Sequence, residues 1–271
     1  MLKKTKIKLL ALCVPIIPVL FFAFRTDIKI AETTIKSNKV TEELKFALIT
    51  DLHSCDYGEN QIDLLSKIYN QNPDVVLLSG DIVDDVLPQD NAIEFLSQVS
   101  KKYPTFYVSG NHEFWSDDIG EIKKMISDFG ITVLEGDCIP TKIKNQTINI
   151  CGVDDPEVGK TEFQNQLANC YNQSNSDDYS ILLTHRPELI GLYPDFDLIL
   201  AGHAHGGQWR IPFLLNGLLA PNQGLFPKYA GGLYEFENKL MIVSRGLAKE
   251  STFVPRIFNR PEIVIVNIIP E

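Results

Sequence analysis

The chain has 271 residues, 44% of them hydrophobic, which is enough to bury one substantial core, and it carries no internal repeat or long low-complexity linker. A formal net charge of -10 excludes general nucleic-acid binding, because most of such a surface repels a phosphate backbone. An anionic substrate would therefore need local positive charge, such as metal ions.

The N-terminal segment comes first. Lys3, Lys4, Lys6 and Lys8 precede an uncharged apolar run from Leu9 to Phe24, which Arg25 closes. The run is slightly short of the roughly 20 residues that a spanning helix prefers, but Lys8 and Arg25 can snorkel and Ile7 adds length. A cleavable signal ends in small residues, and Phe21-Phe22-Ala23-Phe24-Arg25 supplies no such site, so residues 1–26 read as an uncleaved signal anchor forming a transmembrane helix. The lysine flank keeps Met1 in the cytoplasm and sends residues 27–271 outward, giving a single-pass protein of the cell membrane with an extracytoplasmic domain. Cys13 in Leu-Ala-Leu-Cys makes a poor lipoprotein box, because the preceding leucine is large and the cysteine comes early.

Thr26 to Lys39 alternates around Ile28, Ile30 and Ile35 and predicts an outer strand. Short apolar runs follow, each ended by polar residues: Phe46 to Asp51, Val75 to Asp81, Phe106 to His112, Ile181 to His185 and Leu198 to His203. Continuous runs of this length suit strands buried on both faces. Helical spacing appears between them at Ile62, Leu65, Ile68 and Tyr69, at Ile93, Leu96 and Val99, and at Ile119, Ile122, Met125, Ile126 and Phe129. The alternation predicts an α/β domain of βαβ units, in which ligands gather beyond the carboxyl ends of the strands. Cys55, Cys138, Cys151 and Cys170 are irregularly spaced without a C-x-x-C pair, and buried free thiols are expected in preference to disulfides.

All five histidines, His53, His112, His185, His203 and His205, follow these apolar runs. Asp51 and His53 are one residue apart, and the strand period of two would point both side chains to one side, which suits two ligands on one metal. His203 and His205 repeat the spacing in Gly-His-Ala-His-Gly-Gly. Asp81 follows a Ser-Gly turn that lets the backbone pass beneath an ion, and Asn111-His112 offers a neutral oxygen followed by an imidazole. Asp84 and Glu113 read as supporting residues that orient others. Cys55 beside the Asp-x-His pair reads as a small filler.

In order, the series is Asp-x-His, Gly-Asp, Gly-Asn-His-Glu, His and Gly-His-x-His, over roughly Phe46 to Gln208. It resembles the calcineurin-like metallophosphoesterase superfamily. Gly-Gly-Gln-Trp-Arg-Ile-Pro, Phe226-Pro-Lys-Tyr-Ala-Gly-Gly-Leu-Tyr, Val243-Ser-Arg-Gly-Leu and Arg260-Pro-Glu-Ile are similar to its membrane-associated bacterial branch of YkuE-like phosphoesterases, although Ala204 stands where that branch usually has threonine. The resemblance implies a four-layer α/β/β/α sandwich of two mixed sheets and a metal-dependent phosphoric ester hydrolase, expected to be a monomer. It implies two divalent transition-metal ions, Mn, Fe or Zn. One would be held by Asp51, His53, Asp81 and His205, the other by Asp81, Asn111, His185 and His203, leaving His112 as the catalytic general acid.

The expected substrate is a phosphate ester, diester or monoester, linked to lipid or cell envelope. The alternatives are a pyrophosphatase of the UDP-diacylglucosamine type and a non-catalytic scaffold of the same fold. Arg210 and Arg245 are open between phosphate contact and structural salt bridges. Residues 211–232, rich in Gly, Pro and bulky apolar side chains, are open between a lipid-facing lid and a loop packed on the domain.

Overall fold

The structure is a computed structural model and describes residues 18–175, 177–249 and 254–271. Residues 18–23 are helical, and no helix among the described residues is long and apolar enough to cross a membrane. Most of the expected anchor, residues 1–17, lies outside the described residues.

The strands in chain order are β1 (Lys29–Ser37), β2 (Leu44–Ile49), β3 (Val75–Ser79), β4 (Thr105–Val108), β5 (Thr132–Val133), β6 (Asp137–Ile143), β7 (Gln146–Gly152), β8 (Tyr179–Leu183), β9 (Leu198–Ala201), β10 (Leu219–Ala220), β11 (Gly224–Leu225), β12 (Gly232–Glu235), β13 (Leu240–Val243) and β14 (Glu262–Pro270). The helices are α1 (Ile62–Gln71), α2 (Asp90–Val99), α3 (Asn111–Trp115), α4 (Ile119–Asp128) and α5 (Lys160–Gln173). Two six-stranded sheets form, ordered β1-β14-β2-β3-β4-β5 and β12-β13-β9-β8-β7-β6. Both are mixed: β14 runs antiparallel to β2 in the first, and β12 and β6 run antiparallel to their neighbours in the second.

The apolar runs become strands because both their faces are covered. In β2, Leu44, Phe46 and Leu48 point into a core between the sheets, while Ala47 and Ile49 point toward the helices. In β3, Val75 and Leu77 divide from Val76 and Leu78 in the same way. The outer face of the first sheet is sealed by Leu64, Leu65 and Ile68 of α1, Phe95 and Leu96 of α2, and Ile122 and Ile126 of α4. A third core packs Phe163, Leu167 and Cys170 of α5 on the outer face of the second sheet. Helix, sheet, sheet and helix are thus stacked in that order. Side chains of roughly 1.5–3 kcal/mol each hold the layers together.

Two expectations change. Ile62 is 56% exposed, because the buried stripe of α1 runs through Leu64 instead. Cys138 and Cys151 are not thiols: they face each other across the β6–β7 pair and form a disulfide, while Cys55 and Cys170 are buried and stand outside it. Irregular sequence spacing carried no trace of this partnership, which the hairpin register creates.

Gly152 marks a close approach of the sheets. A Cβ there would lie 2.6 Å from Val108 Cγ1 and 2.7 Å from Leu134 Cβ. Gly152→Ala is expected to destabilise the fold by about 1–3 kcal/mol through overpacking, measured by urea denaturation.

Candidate metal centre

All the predicted site residues come together where the strands of both sheets end. Asp51 and His53 follow β2, Asp81 follows β3, Asn111 and His112 open α3 after β4, His185 follows β8, and His203 and His205 follow β9. The Ser79 hydroxyl donates across the seam to the carbonyls of Thr184 and Leu200, tying the two strand-end regions together. The metal-binding atoms of Asp51, His53, Asp81 and His205 lie within 4.8 Å of one another, and so do those of Asp81, His185 and His203. Asp81 belongs to both groups. A third group of His53, Asp84 and His112 shares the edge of the first.

The convergence does not arise from strand alternation, as the spacing had suggested. Asp51, His53, Asp81, His203 and His205 have φ of 51°, 49°, 53°, 63° and 46°. These are left-handed conformations past the strand ends, each costing roughly 1–2 kcal/mol for a residue with a Cβ. Backbone hydrogen bonds offset part of that cost: Asp51 N–H donates to Gly80 O at 3.0 Å, and His53 N–H donates to Asp81 O at 2.9 Å.

Three of the rings are each oriented by a second partner. Asp84 accepts from His53 Nδ1 at 2.8 Å, turning Nε2 toward Asp81 at 3.5 Å. Ser79 O accepts from His185 Nδ1 at 2.9 Å, leaving Nε2 3.0 Å from Asp81 Oδ2. Asn222 Oδ1 accepts from His203 Nε2 at 2.7 Å, so the lone pair of that ring sits on Nδ1, 3.2 Å from His185 Nε2. Fixing one ring nitrogen as the donor selects the other as a ligand.

The cluster is sealed from water. Asp51, Asp81 and His185 are fully buried, and His53, Asn111, His203 and His205 nearly so. Burial disfavours charge on His185, but Asp81 outweighs it and pushes the imidazole up to about 10. Burial, then the charge of His185, drives His203 down to about 3.

Asp51 Oδ2, His53 Nε2, Asn111 Oδ1 and His205 Nδ1 are buried without any hydrogen-bond partner. Buried polar atoms are otherwise nearly always satisfied. Four orphans of acceptor or ligand type within one carboxylate and imidazole cluster fit divalent cations, and mixed oxygen and nitrogen donors suit the transition metals.

Glu113 and Asp84 support the site as expected, Glu113 in an unexpected way. Its carboxylate accepts the backbone N–H groups of Asp81, Ile82, Val83 and Gly110 at 2.7–3.1 Å, clamping the Gly-Asp turn to α3. Gly110 has no room for a side chain, since a Cβ would lie 2.2 Å from Asp81 Oδ1. His112 is the most exposed of the histidines; its Nδ1 lies 2.6 Å from Asp85 Oδ1, and its ring contacts His53 and Trp115.

Asp85, Asn222 and Asn259 were not legible in the sequence. Asp85 adjoins Asp84 but belongs to none of the motifs in the sequence. Asn222 lies in an apolar loop, and Asn259, which donates to the carbonyls of His205 and Gln208, lies 54 residues beyond the histidine it steadies. Arg186 holds Asp155 through two bonds of 2.7 and 2.9 Å. Arg245 pairs with Glu262 at 3.3 Å, whereas Arg210 bonds neutral acceptors, Gly206 O and Asn216 Oδ1. Residues 211–232 divide: Ala220 and Tyr229 join the third core, while Phe213, Leu214, Leu225 and Phe226 are exposed.

Residues 44–207 match the family model of the calcineurin-like phosphoesterases. The chain is similar to a metallophosphoesterase of Campylobacter jejuni, 32% identical over 252 residues that cover 89% of this chain and 63% of that protein. It therefore spans less than two thirds of that relative. The metallophosphoesterase YkuE of Bacillus subtilis is 27% identical over 253 residues, covering 89% of this chain and 85% of that protein. A transmembrane protein with metallophosphoesterase domain from Danio rerio is 25% identical, over 79% of this chain and 51% of that protein.

Glu113→Ala would leave four backbone N–H groups without their acceptor. It is expected to cost about 3 kcal/mol or more, at roughly 1–3 kcal/mol for each buried donor left unsatisfied, with Glu113→Gln losing less. Urea denaturation of both variants measures the difference.

Proposed function

Because the chain belongs to the calcineurin-like phosphoesterase family, we propose that it is a membrane-anchored hydrolase of phosphate esters, working with two divalent metal ions. One observation carries this reading: Asp51, His53, Asp81, Asn111, His185, His203 and His205 converge with four buried, unpartnered donor atoms among them. Asp51, His53, Asp81 and His205 would hold one ion, and Asp81, Asn111, His185 and His203 the other. Asp81, common to both groups, would serve both ions. When bound, such a pair supplies Lewis acidity that activates a water molecule and screens the phosphoryl charge.

The remaining work falls to the chain. Asp85 accepts from His112 Nδ1–H, which leaves Nε2 as the nitrogen that delivers a proton to the departing alkoxide oxygen. Trp115, 51% exposed, flanks that ring and borders the path by which an ester approaches. Glu113 keeps the Asp81 turn in place, so the carboxylate common to both groups is held in position beforehand.

Residues 1–26 act as the anchor and residues 27–271 as the catalytic domain. The lysine cluster before Leu9, the helix at 18–23 and the exposure of Val19, Leu20, Phe21, Phe22 and Phe24 support this, as does the transmembrane relative. Exposed apolar residues at 213–214 and 225–226 favour lipid-linked or envelope-linked esters, monoester or diester, cleaved on the outer face of the membrane.

Purified protein is expected to hydrolyse bis(4-nitrophenyl) phosphate with Mn or Zn and to lose the activity in chelator. Asp81→Asn should lose both bound metal and turnover. His112→Ala should keep its metal yet lose about a hundredfold to ten-thousandfold on an alkyl ester, and less on the nitrophenyl ester, whose leaving group needs no proton. Wild type that binds no metal, or turns over no faster than Asp81→Asn, refutes the reading.

Metal removal should also register without any substrate. At a metal concentration about a hundred times Kd, binding to the folded state contributes roughly 2.7 kcal/mol, so chelation is expected to lower Tm by about 5 °C or more. Added Mn should restore it.

A further inference from the structure

A second polar site lies outside the metal centre. Lys29 at the start of β1, Arg210 and Arg245 line a cavity of about 610 Å³ together with Phe213, Leu214 and Phe258. Three cations gather here in a chain whose net charge is -10. Glu262 answers one of them, pairing with Arg245 at 3.3 Å. Among the described residues, Lys29 and Arg210 have no carboxylate in an ion pair; Arg210 spends its guanidinium on Gly206 O and Asn216 Oδ1. A Cβ on Gly231 would lie 3.0 Å from Arg245 Cγ and 3.4 Å from an Arg210 guanidinium nitrogen, so the two arginines share one wall.

Burial and the neighbouring Arg245 push Arg210 down to about 10, and the same two causes lower Lys29. Cations crowded at mutual expense are stabilised by an anion between them. The rim shows where that anion comes from. Phe213 and Leu214 project fully into solvent, a costly display unless an apolar phase receives them. Phe258, on the cavity wall, donates its backbone N–H to Ala23 O at 2.7 Å, so the cavity is joined directly to the end of the apolar N-terminal run.

We propose that Lys29, Arg210 and Arg245 form a binding site for the anionic head group of a membrane phospholipid, with Phe213 and Leu214 inserted among its acyl chains. The inference rests on the membrane-anchored reading above but not on the hydrolytic one. Such a site would fix the domain's tilt on the bilayer, a second contact beside the anchor.

The test is calorimetric titration of the full chain in a neutral detergent with dihexanoyl phosphatidylglycerol, dihexanoyl phosphatidylcholine and inorganic phosphate. Phosphatidylglycerol should bind about tenfold or more tighter than either of the others, and Arg210→Gln or Lys29→Gln should each weaken it about tenfold. Lys29→Gln, at a strand edge and without an ion-pair partner, guards against misfolding as the explanation for Arg210→Gln. Phe213→Ser with Leu214→Ser should weaken the lipid and leave inorganic phosphate unchanged.

Equal affinity for the two lipids, phosphate as tight as phosphatidylglycerol, or indifference to both cation substitutions would overturn the proposal. The KM for bis(4-nitrophenyl) phosphate should not change with added phosphatidylglycerol. Competitive inhibition would put the lipid at the metal centre and overturn the separate site. An inactive protein that still binds phosphatidylglycerol through Lys29 and Arg210 would sink the hydrolase reading alone.

Discussion

Two carboxylates with no exposure to water, Asp51 and Asp81, sit where the ends of both sheets meet, and the local structure is arranged around satisfying their oxygens. Isolated charges in such surroundings cost several kcal/mol each, so they persist only with cations and hydrogen-bond donors close by. The backbone N–H of His203 donates to Asp51, and that of His112 donates to Asp81, both at 2.9 Å. Each carboxylate is therefore gripped by a loop from another strand. Assembling the site and closing the two sheets on each other are one event.

The same demand explains the backbone. A strand running straight on would carry Asp51, His53 and Asp81 out of the seam, so the chain turns sharply into left-handed conformations that few residues with side chains tolerate. The free energy comes from elsewhere: the core between the sheets, the four N–H groups collected by Glu113, and Asn259 holding the His205 loop. Close-packed glycines complete the arrangement, because Gly110 leaves space that Asp81 occupies. Stability stored in the rigid layers is converted into a fixed ligand geometry.

The two polar sites of the chain differ in kind. At the strand ends, carboxylates and imidazoles converge; in the cavity lined by Lys29, Arg210 and Arg245, cations converge around one carboxylate. They are linked through the short segment from His205 to Arg210, whose backbone passes from one to the other, with Arg210 bonded back to Gly206 O. That segment also carries the exposed Trp209, so any tilt imposed at the cationic cavity acts on a loop rooted in the metal centre.

The strands and helices were legible because a buried strand needs an unbroken apolar run and a surface helix needs one apolar stripe, and both leave their period in the sequence. The residues of the cluster were legible because His, Asp and Asn stand immediately after those runs, where the chain must leave the sheet. What had no sequence signal were relations between distant segments. The disulfide of Cys138 with Cys151 follows from hairpin register, and Asp85, Asn222 and Asn259 acquire roles only when a histidine lands beside them. Asp51 and His53 meet through left-handed turns and not through the alternation of an extended strand. By itself the sequence determined which polar residues stand at the strand ends and on which elements they ride. Only the tertiary structure decided which atoms face one another, because hydrogen bonds and charges act over a few ångströms of space, whatever the distance along the chain.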